Sequence, residues 1–139
     1  GEPAEYAVNV LQRGGDPCCV ALVLSLSGQI VRGALPSEID DSFSIYEIAL
    51  RTATPNVGFL RQRGDLERFR ETYRRDFLAV LRRDHSGAKE LHVFPAVPAP
   101  VAIAIGHDLL PKVDPTLLVY DADKARGGFT LRLRTNDHG

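Results

Sequence analysis

The chain has 139 residues, of which 44% are hydrophobic and 25% charged, the size and composition of one soluble globular domain. Its 17 Lys and Arg residues nearly balance 18 Asp and Glu residues, for a formal net charge of −1. That balance argues against general DNA or RNA binding, which needs a clear basic excess. No apolar run reaches the roughly 18 residues of a membrane-spanning helix, so we expect no membrane span in this chain.

The two cysteines, Cys18 and Cys19, are adjacent at the start of an apolar run. Side chains of neighbouring strand residues point to opposite faces of a sheet, so this pair is poorly placed to form a disulfide or to share a metal. We interpret both as reduced core residues of a cytosolic protein. The sequence contains no methionine and begins Gly1-Glu2-Pro3, so we expect either that the initiator was removed with a tag or, as we favour, that this is a piece excised from a longer chain.

The pattern of apolar residues predicts strands that alternate with helices. Short apolar runs that end at Ser, Gly or Pro are typical of buried strands, and apolar residues at steps of three and four are typical of helices packed on a sheet. In chain order, the predicted elements are an edge strand over 6–11, a buried strand over 18–24, a weak helix over 29–35, a buried strand over 44–51, a long helix over 65–84, a strand over 90–94, a helix over 98–110, and strands over 116–120 and 129–134.

The helix over 65–84 has the clearest signal. Asp65 is placed to cap its start, and Gly87 lies just past its end. Between Arg61 and Arg83 there are eight arginines and four acids, which we interpret as a solvated helix face. A surface for a partner or a polyanion is the alternative. The apolar residues form one stripe along the helix: Leu66, Phe69, Tyr73, Phe77, Val80 and Leu81.

Strands alternating with helices predict an α/β fold with a mainly parallel sheet and helices on both faces. Ligands bind such sheets outside the carboxyl ends of the strands, where the strand order reverses. This rule selects three loops as candidate binding segments: residues 25–28, 94–99 and 121–128.

Two of these loops carry groups suited to an anion or a sugar. Ser25 and Ser27 offer hydroxyls beside Gly28, a residue that lets backbone approach a ligand closely; a plain strand-to-helix turn is an equal alternative. The helix start at Pro98 offers free N–H groups that favour an anion. Phe94 offers a ring for stacking on a base, although a core phenylalanine is commoner.

The third loop carries two basic side chains, Lys124 and Arg126, directly after a predicted strand. Arginine at such a position can bind a phosphate through two hydrogen bonds. The sequence contains no phosphate-loop, dinucleotide-binding, nucleophile-elbow or zinc-protease motif, and its four histidines share no metal-ligand spacing: His85, His92, His107 and His138. We therefore expect no catalytic residue, no metal and no cofactor.

Five segments share a pattern with a known family, and Phe-Pro-Ala-x-Pro with the later Tyr-Asp is its most specific part. They are Leu24-Ser25-Leu26-Ser27, Ser44-Ile45-Tyr46, Leu91-His92-Val93-Phe94-Pro95-Ala96-Val97-Pro98, Ala102 with Gly106-His107, and Leu118-Val119-Tyr120-Asp121. Together they resemble the SAVED domain from about residue 18 to residue 129. We accordingly divide the chain into an N-terminal segment over 1–17 and a sensor domain over 18–139.

The resemblance implies a sensor rather than an enzyme. SAVED domains bind cyclic oligonucleotides made by a partner synthase in bacterial CBASS and some type III CRISPR anti-phage systems. They consist of two fused halves, each similar to the Rossmann-like CARF domain, and ligand-driven self-assembly activates an attached or partner effector. This chain is long enough for one half. The resemblance therefore implies a second half or a homo-oligomer, an effector domain or subunit, and a bacterial cytoplasmic location.

The expected ligand is a cyclic di- to tetranucleotide bound at the three strand ends. The serine hydroxyls would meet sugar or phosphate, the basic side chains would meet phosphates, and a phenylalanine would stack on a base. An assembly domain without a nucleotide ligand and an enzyme that cleaves cyclic oligonucleotides remain as alternatives. The expected ligand-binding residues are Ser25, Ser27, Gly28, Phe94, Pro95, Ala96, Pro98, Ala99, Tyr120, Asp121, Lys124, Arg126 and Phe129.

Overall fold

The computed structural model describes residues 5–25, 30, 32–51, 63–96, 115–123 and 128–134. Within these ranges, six strands form one sheet in the order β1-β3-β2-β4-β5-β6, and each of them was predicted. The strands are β1 (Tyr6–Gln12), β2 (Val20–Ser25), β3 (Ser44–Leu50), β4 (Glu90–Pro95), β5 (Thr116–Asp123) and β6 (Gly128–Arg134). The helical elements are a 3₁₀ turn (Arg32–Ala34), α1 (Arg63–Glu71), a π segment (Thr72–Phe77) and α2 (Leu78–Asp84).

The sheet is mixed rather than wholly parallel. Its inner strands β3, β2, β4 and β5 are parallel to one another, whereas the edge strands β1 and β6 are antiparallel to their neighbours. From β2 the chain moves to β3 on one side, and it later enters β4 on the other side of β2. The strand order therefore reverses between β2 and β4, as it does in flavodoxin-like α/β sheets.

An apolar cluster lies on each face of the sheet. The larger cluster joins the helical residues to β2, β3, β4 and β5, so α1, the π segment and α2 cover that face. The smaller cluster is covered, within the described residues, by Ile30, Leu35 and Ile39 from the chain between β2 and β3. The helix predicted over 98–110 lies outside the described residues.

The π segment keeps the apolar stripe of the helix on the sheet. Phe69, Tyr73, Phe77 and Leu81 recur every four residues and are all buried. In an α-helix of 3.6 residues per turn, each four-residue step rotates the side chain by about 40° out of line. A π turn contains more residues than an α turn, so one such segment compensates for this drift. The sequence predicts the stripe, and the structure adds the π geometry that aligns it.

Three local predictions are wrong. Cys18 is exposed and Cys19 is half-buried, because β2 begins only at Val20. Before Val20, Asp16 holds a turn in which its carboxylate accepts from the Cys18 N–H at 2.9 Å. The expected weak helix over 29–35 is, in the described residues, a 3₁₀ turn of three residues. Asp65 lies inside α1, which begins at Arg63, rather than at its cap position.

Candidate ligand-binding site

The carboxyl ends of β2 and β4 lie side by side. Leu24 pairs with Pro95 in the parallel register, and the backbone N–H of Ala96 donates to the Leu24 carbonyl at 3.0 Å. This bond ties Leu24, the residue before the last one of β2, to the end of β4. Two of the three candidate loops therefore start next to each other at the point where the strand order reverses, which is the ligand-binding position in doubly wound sheets.

The third candidate loop is shorter than predicted. β5 continues to Asp123 and pairs with β6, so that Asp121 lies opposite Thr130 inside a hairpin. Asp121 is buried, and the strand prediction that ended at Tyr120 is three residues too short. Two aspartates and an alanine made 121–123 look like the start of a loop, while pairing with β6 extends the strand.

Six of the expected ligand-binding residues lie outside the described residues. The six are Ser27, Gly28, Pro98, Ala99, Lys124 and Arg126.

Aromatic rings from β4, β5 and β6 pack together just below this edge of the sheet. The rings of Phe94 and Tyr120 stack with centroids 4.4 Å apart, and Phe129 meets Phe94 edge-on at 5.1 Å. Phe94 has 0% of its surface exposed, so its ring offers no open face to a base. Phe129 is half-buried, which leaves part of its surface accessible. Phe94 thus positions the other two rings.

The hydroxyl of Tyr120 also forms a hydrogen bond with the neighbouring side chain of His92, with 2.9 Å between the hydroxyl oxygen and Nδ1. Burial lowers the pKa of His92, an effect that the nearby Glu90 and Glu38 partly oppose. Burial, with help from the same two carboxylates, raises the pKa of Tyr120 to about 12. Both groups are therefore neutral near pH 7. The pair forms a neutral polar contact within the layer of rings formed by His92, Phe94, Tyr120 and Phe129, which we call the aromatic layer.

A polar network next to the strand reversal was not found from the sequence. Ser25 donates its hydroxyl proton to Glu47 Oε2 at 2.6 Å, and Asn9 Nδ2 donates to Glu47 Oε1 at 3.2 Å. These three side chains connect β2, β3 and β1. Ser25 is 1% exposed and Glu47 is 8% exposed. One feature of the sequence could have indicated this network: Glu47 is the only charged residue in the strand Ser44–Leu50. A carboxylate that is buried in a strand needs hydrogen-bond partners.

Among the described ranges, no group of three or more His, Cys, Asp and Glu side chains is arranged to hold a metal ion. The helical elements of these ranges include none long and apolar enough to cross a membrane.

The family of the chain follows from a comparison with family models. Residues 1–134 match the model described as "SAVED: SMODS-associated and fused to various effectors sensor domain". The match spans nearly the whole chain, so this protein belongs to the SAVED family of sensor domains. The resemblance drawn from the strand-end motifs is thereby confirmed. No curated protein matches the chain.

Proposed function

We propose that this chain binds a cyclic di- to tetranucleotide at the carboxyl edge of its sheet and thereby triggers activation of an effector. The observation that carries the proposal is the strand reversal between β2 and β4, which brings the ends of two candidate loops together. Membership of a sensor family supports the same role. We further propose that the sheet is a Rossmann-like, CARF-like unit, an assignment supported by its four parallel inner strands.

The candidate residues divide by the ligand chemistry that they suit. We assign phosphate binding to Lys124, Arg126 and the backbone around Pro98, because basic groups and free N–H groups bind anions. We assign base stacking to Phe129, whose ring retains exposed surface. Phe94 and Tyr120 support that ring from the core rather than meet the ligand themselves.

The proposed signal passes by self-association. One CARF-like half supplies one copy of the strand-end site, so we propose that a second half or a second copy of the chain completes the pocket. The effector is an attached domain or a partner subunit in a bacterial anti-phage system of the CBASS or type III CRISPR kind, in the cytoplasm. We propose a sensor role without catalysis, and the appearance of linear products on incubation with a cyclic ligand would contradict it.

A thermal-shift screen against cyclic di-, tri- and tetranucleotides tests this proposal. A ligand at about a hundred times its dissociation constant adds about 2.7 kcal/mol to the folded state, which is a rise of several degrees for a domain of this size. Lys124→Ala with Arg126→Ala should weaken that shift and leave the Tm of the free protein nearly unchanged. Absence of a shift, both here and in a chain extended at its N-terminus, would refute the nucleotide ligand.

A second candidate function, a protein-protein assembly domain, is favoured by one observation on the helical face. Arg70, Arg74 and Arg82 are exposed and have no ion-pair partner in the described part of the chain, unlike Arg75, which pairs with Glu71 at 3.3 Å. Arg70→Glu with Arg74→Glu should abolish a complex that depends on this face, while Arg75→Gln serves as the control. Persistence of the complex in the double variant would exclude this face.

A further inference from the structure

A shallow groove opens on the face of the sheet opposite the helices, in the chain between β2 and β3. Its volume is about 420 Å³, and its lining consists of Gly33, Leu35, Ser37, Ile39, Asp40 and Asp41. The two apolar residues are buried and form the floor, whereas the other four are exposed. The groove therefore combines an apolar floor with an acidic rim that solvent reaches.

The charge around this groove is entirely negative. Residues 33–43 contain three acids, Glu38, Asp40 and Asp41, and no Lys, Arg or His. Asp40 holds the following turn, because its carboxylate accepts from the Ser42 backbone N–H at 2.9 Å. Glu38 and Asp41 are exposed, and no Lys or Arg of the described ranges pairs with either of them. Two carboxylates are therefore available to a cation from outside.

An arginine side chain suits such a groove. It carries a charged head on an apolar stem that packs against apolar surface, and its guanidinium binds a carboxylate through two parallel hydrogen bonds. Arg70 and Arg74 on the helical face are exposed and have no ion-pair partner in the described part of the chain. They are four residues apart, so they lie beside each other on the helical surface.

The arginine pair and the acidic groove cannot meet within one molecule. The helical elements cover the larger apolar cluster, whereas Leu35 and Ile39 belong to the smaller cluster on the other face of the sheet. The whole thickness of the sheet separates the two surfaces. Arg70 and Arg74 can therefore reach such a groove only in another copy of the chain.

We propose that Arg70 and Arg74 of one copy bind the groove of a second copy at Glu38 and Asp41. This inference rests on the self-association in the proposed function and names its two surfaces. Because the surfaces differ, the contact is head-to-tail: a pair of copies retains one free groove and one free arginine pair, so further copies add until a ring closes or a filament forms. Exposed ion pairs are weak and are screened by salt, so assembly should need concentrated protein.

Sedimentation velocity of the full chain over rising protein concentration tests the proposal. The runs are made in about 0.05 M and about 0.5 M salt, which differ in the range of charge interactions. Wild type should form species larger than a dimer at the lower salt and lose them at the higher. Monomer at every concentration, with and without cyclic di-, tri- and tetranucleotides, would overturn the inference.

Charge reversal identifies the two surfaces. Arg70→Glu with Arg74→Glu should abolish assembly, and so should Glu38→Arg with Asp41→Arg, because like charges then meet. All four changes in one chain should restore assembly, since a helical face bearing glutamates then meets a groove bearing arginines. A thermal melt of each variant checks its folding. A folded fourfold variant that remains monomeric, or a reversal that leaves assembly intact, would overturn the inference.

A control and a comparison separate this interface from other effects. Glu90→Lys with Arg134→Glu reverses an ion pair elsewhere on the sheet and should assemble as wild type does. If the free chain assembles through the two surfaces and no cyclic nucleotide raises its Tm, the interface stands and only the nucleotide ligand fails. If a nucleotide raises the Tm and neither reversal changes assembly, the interface alone is refuted.

Discussion

His92 and Tyr120 are joined through Nδ1 and the phenol oxygen at 2.9 Å, with their rings stacked at 5.9 Å. This contact places a titratable imidazole inside the aromatic layer that supports the candidate site. Because burial lowers the pKa of His92, the folded protein resists its protonation. The stability of this layer therefore depends on pH.

The free energy of unfolding should fall as the pH is lowered from 7 through about 6.5, the ordinary histidine pKa. Over that range the unfolded chain binds a proton that folded His92 refuses, and the slope is at most about 1.4 kcal/mol per pH unit for one proton. Urea titrations between pH 5 and 7.5 measure it. His92→Gln should flatten this slope, whereas Tyr120→Phe, which retains the imidazole, should preserve it. If the slope of His92→Gln equalled that of the wild type, the pH dependence would not come from His92.

Removing a single hydroxyl should have different effects on stability at two buried tyrosines. Tyr46 bonds to His85 Nε2 at 2.7 Å, so Tyr46→Phe should cost about 1–3 kcal/mol by leaving that imidazole unsatisfied. The Tyr73 hydroxyl is buried with no hydrogen-bond partner in the described ranges, so Tyr73→Phe should be neutral or stabilising. Thermal melts compare the two variants, and a larger loss of Tm for Tyr73→Phe would contradict the packing described for the π segment.

Two adjacent glycines should respond differently to alanine. A Cβ at Gly14 would overlap the Ser42 carbonyl oxygen and the Phe43 carbonyl carbon, whereas one at Gly15 would meet nothing within 4 Å. Gly14→Ala must push the two backbones apart, at a cost of about 1–3 kcal/mol. Gly15→Ala is the matched control. Denaturant midpoints that fall equally for both would show that the two chain segments are not in contact.

The two cysteines should react at different rates with a thiol reagent such as DTNB. Cys18 is exposed, whereas the half-buried Cys19 thiol donates to the Asp16 carboxylate at 3.6 Å. Burial, together with the Asp16 and Asp40 carboxylates, raises the pKa of Cys19. Since the thiolate is the reactive form, Cys18 should account for the fast phase at pH 7.5. Cys18→Ser should abolish that phase. A fast phase that persists in Cys18→Ser would contradict the exposure of Cys18 and the burial of Cys19.

The strands of the sheet could be predicted from the sequence because the patterns that indicate them are local. Short apolar runs such as 20–24, and their Ser, Gly and Pro ends, mark buried strands whatever the remainder of the chain does. The strand-end rule then selected the loops after β2 and β4 without knowledge of the strand order. The reversal between those strands, which makes their junction a binding position, is a property of the pairing and appears only in the structure.

What the sequence did not predict depends on contacts between distant residues. In the sequence, Glu47 is only a single charge in an apolar strand. The fold places Ser25 and Asn9 within hydrogen-bond distance of its two carboxylate oxygens. From the sequence, Phe94 could be either a stacking ring or a core residue, and only the packing of Tyr120 and Phe129 against it places its ring in the core. The end of β5 moves from Tyr120 to Asp123 because β6 pairs with it. In each case a partner at least five residues away along the chain decides the outcome.

The most direct test of the central claim is the backbone amide spectrum of the 15N-labelled chain, titrated with the cyclic nucleotide that gives the largest thermal shift. If the ligand binds at the strand reversal, the amides of Ser25 and Ala96 should show the largest shift changes, and those of α2 should remain nearly unchanged. Changes confined to the helical face, with Ser25 and Ala96 unaffected at saturation, would contradict a binding site at the junction of β2 and β4.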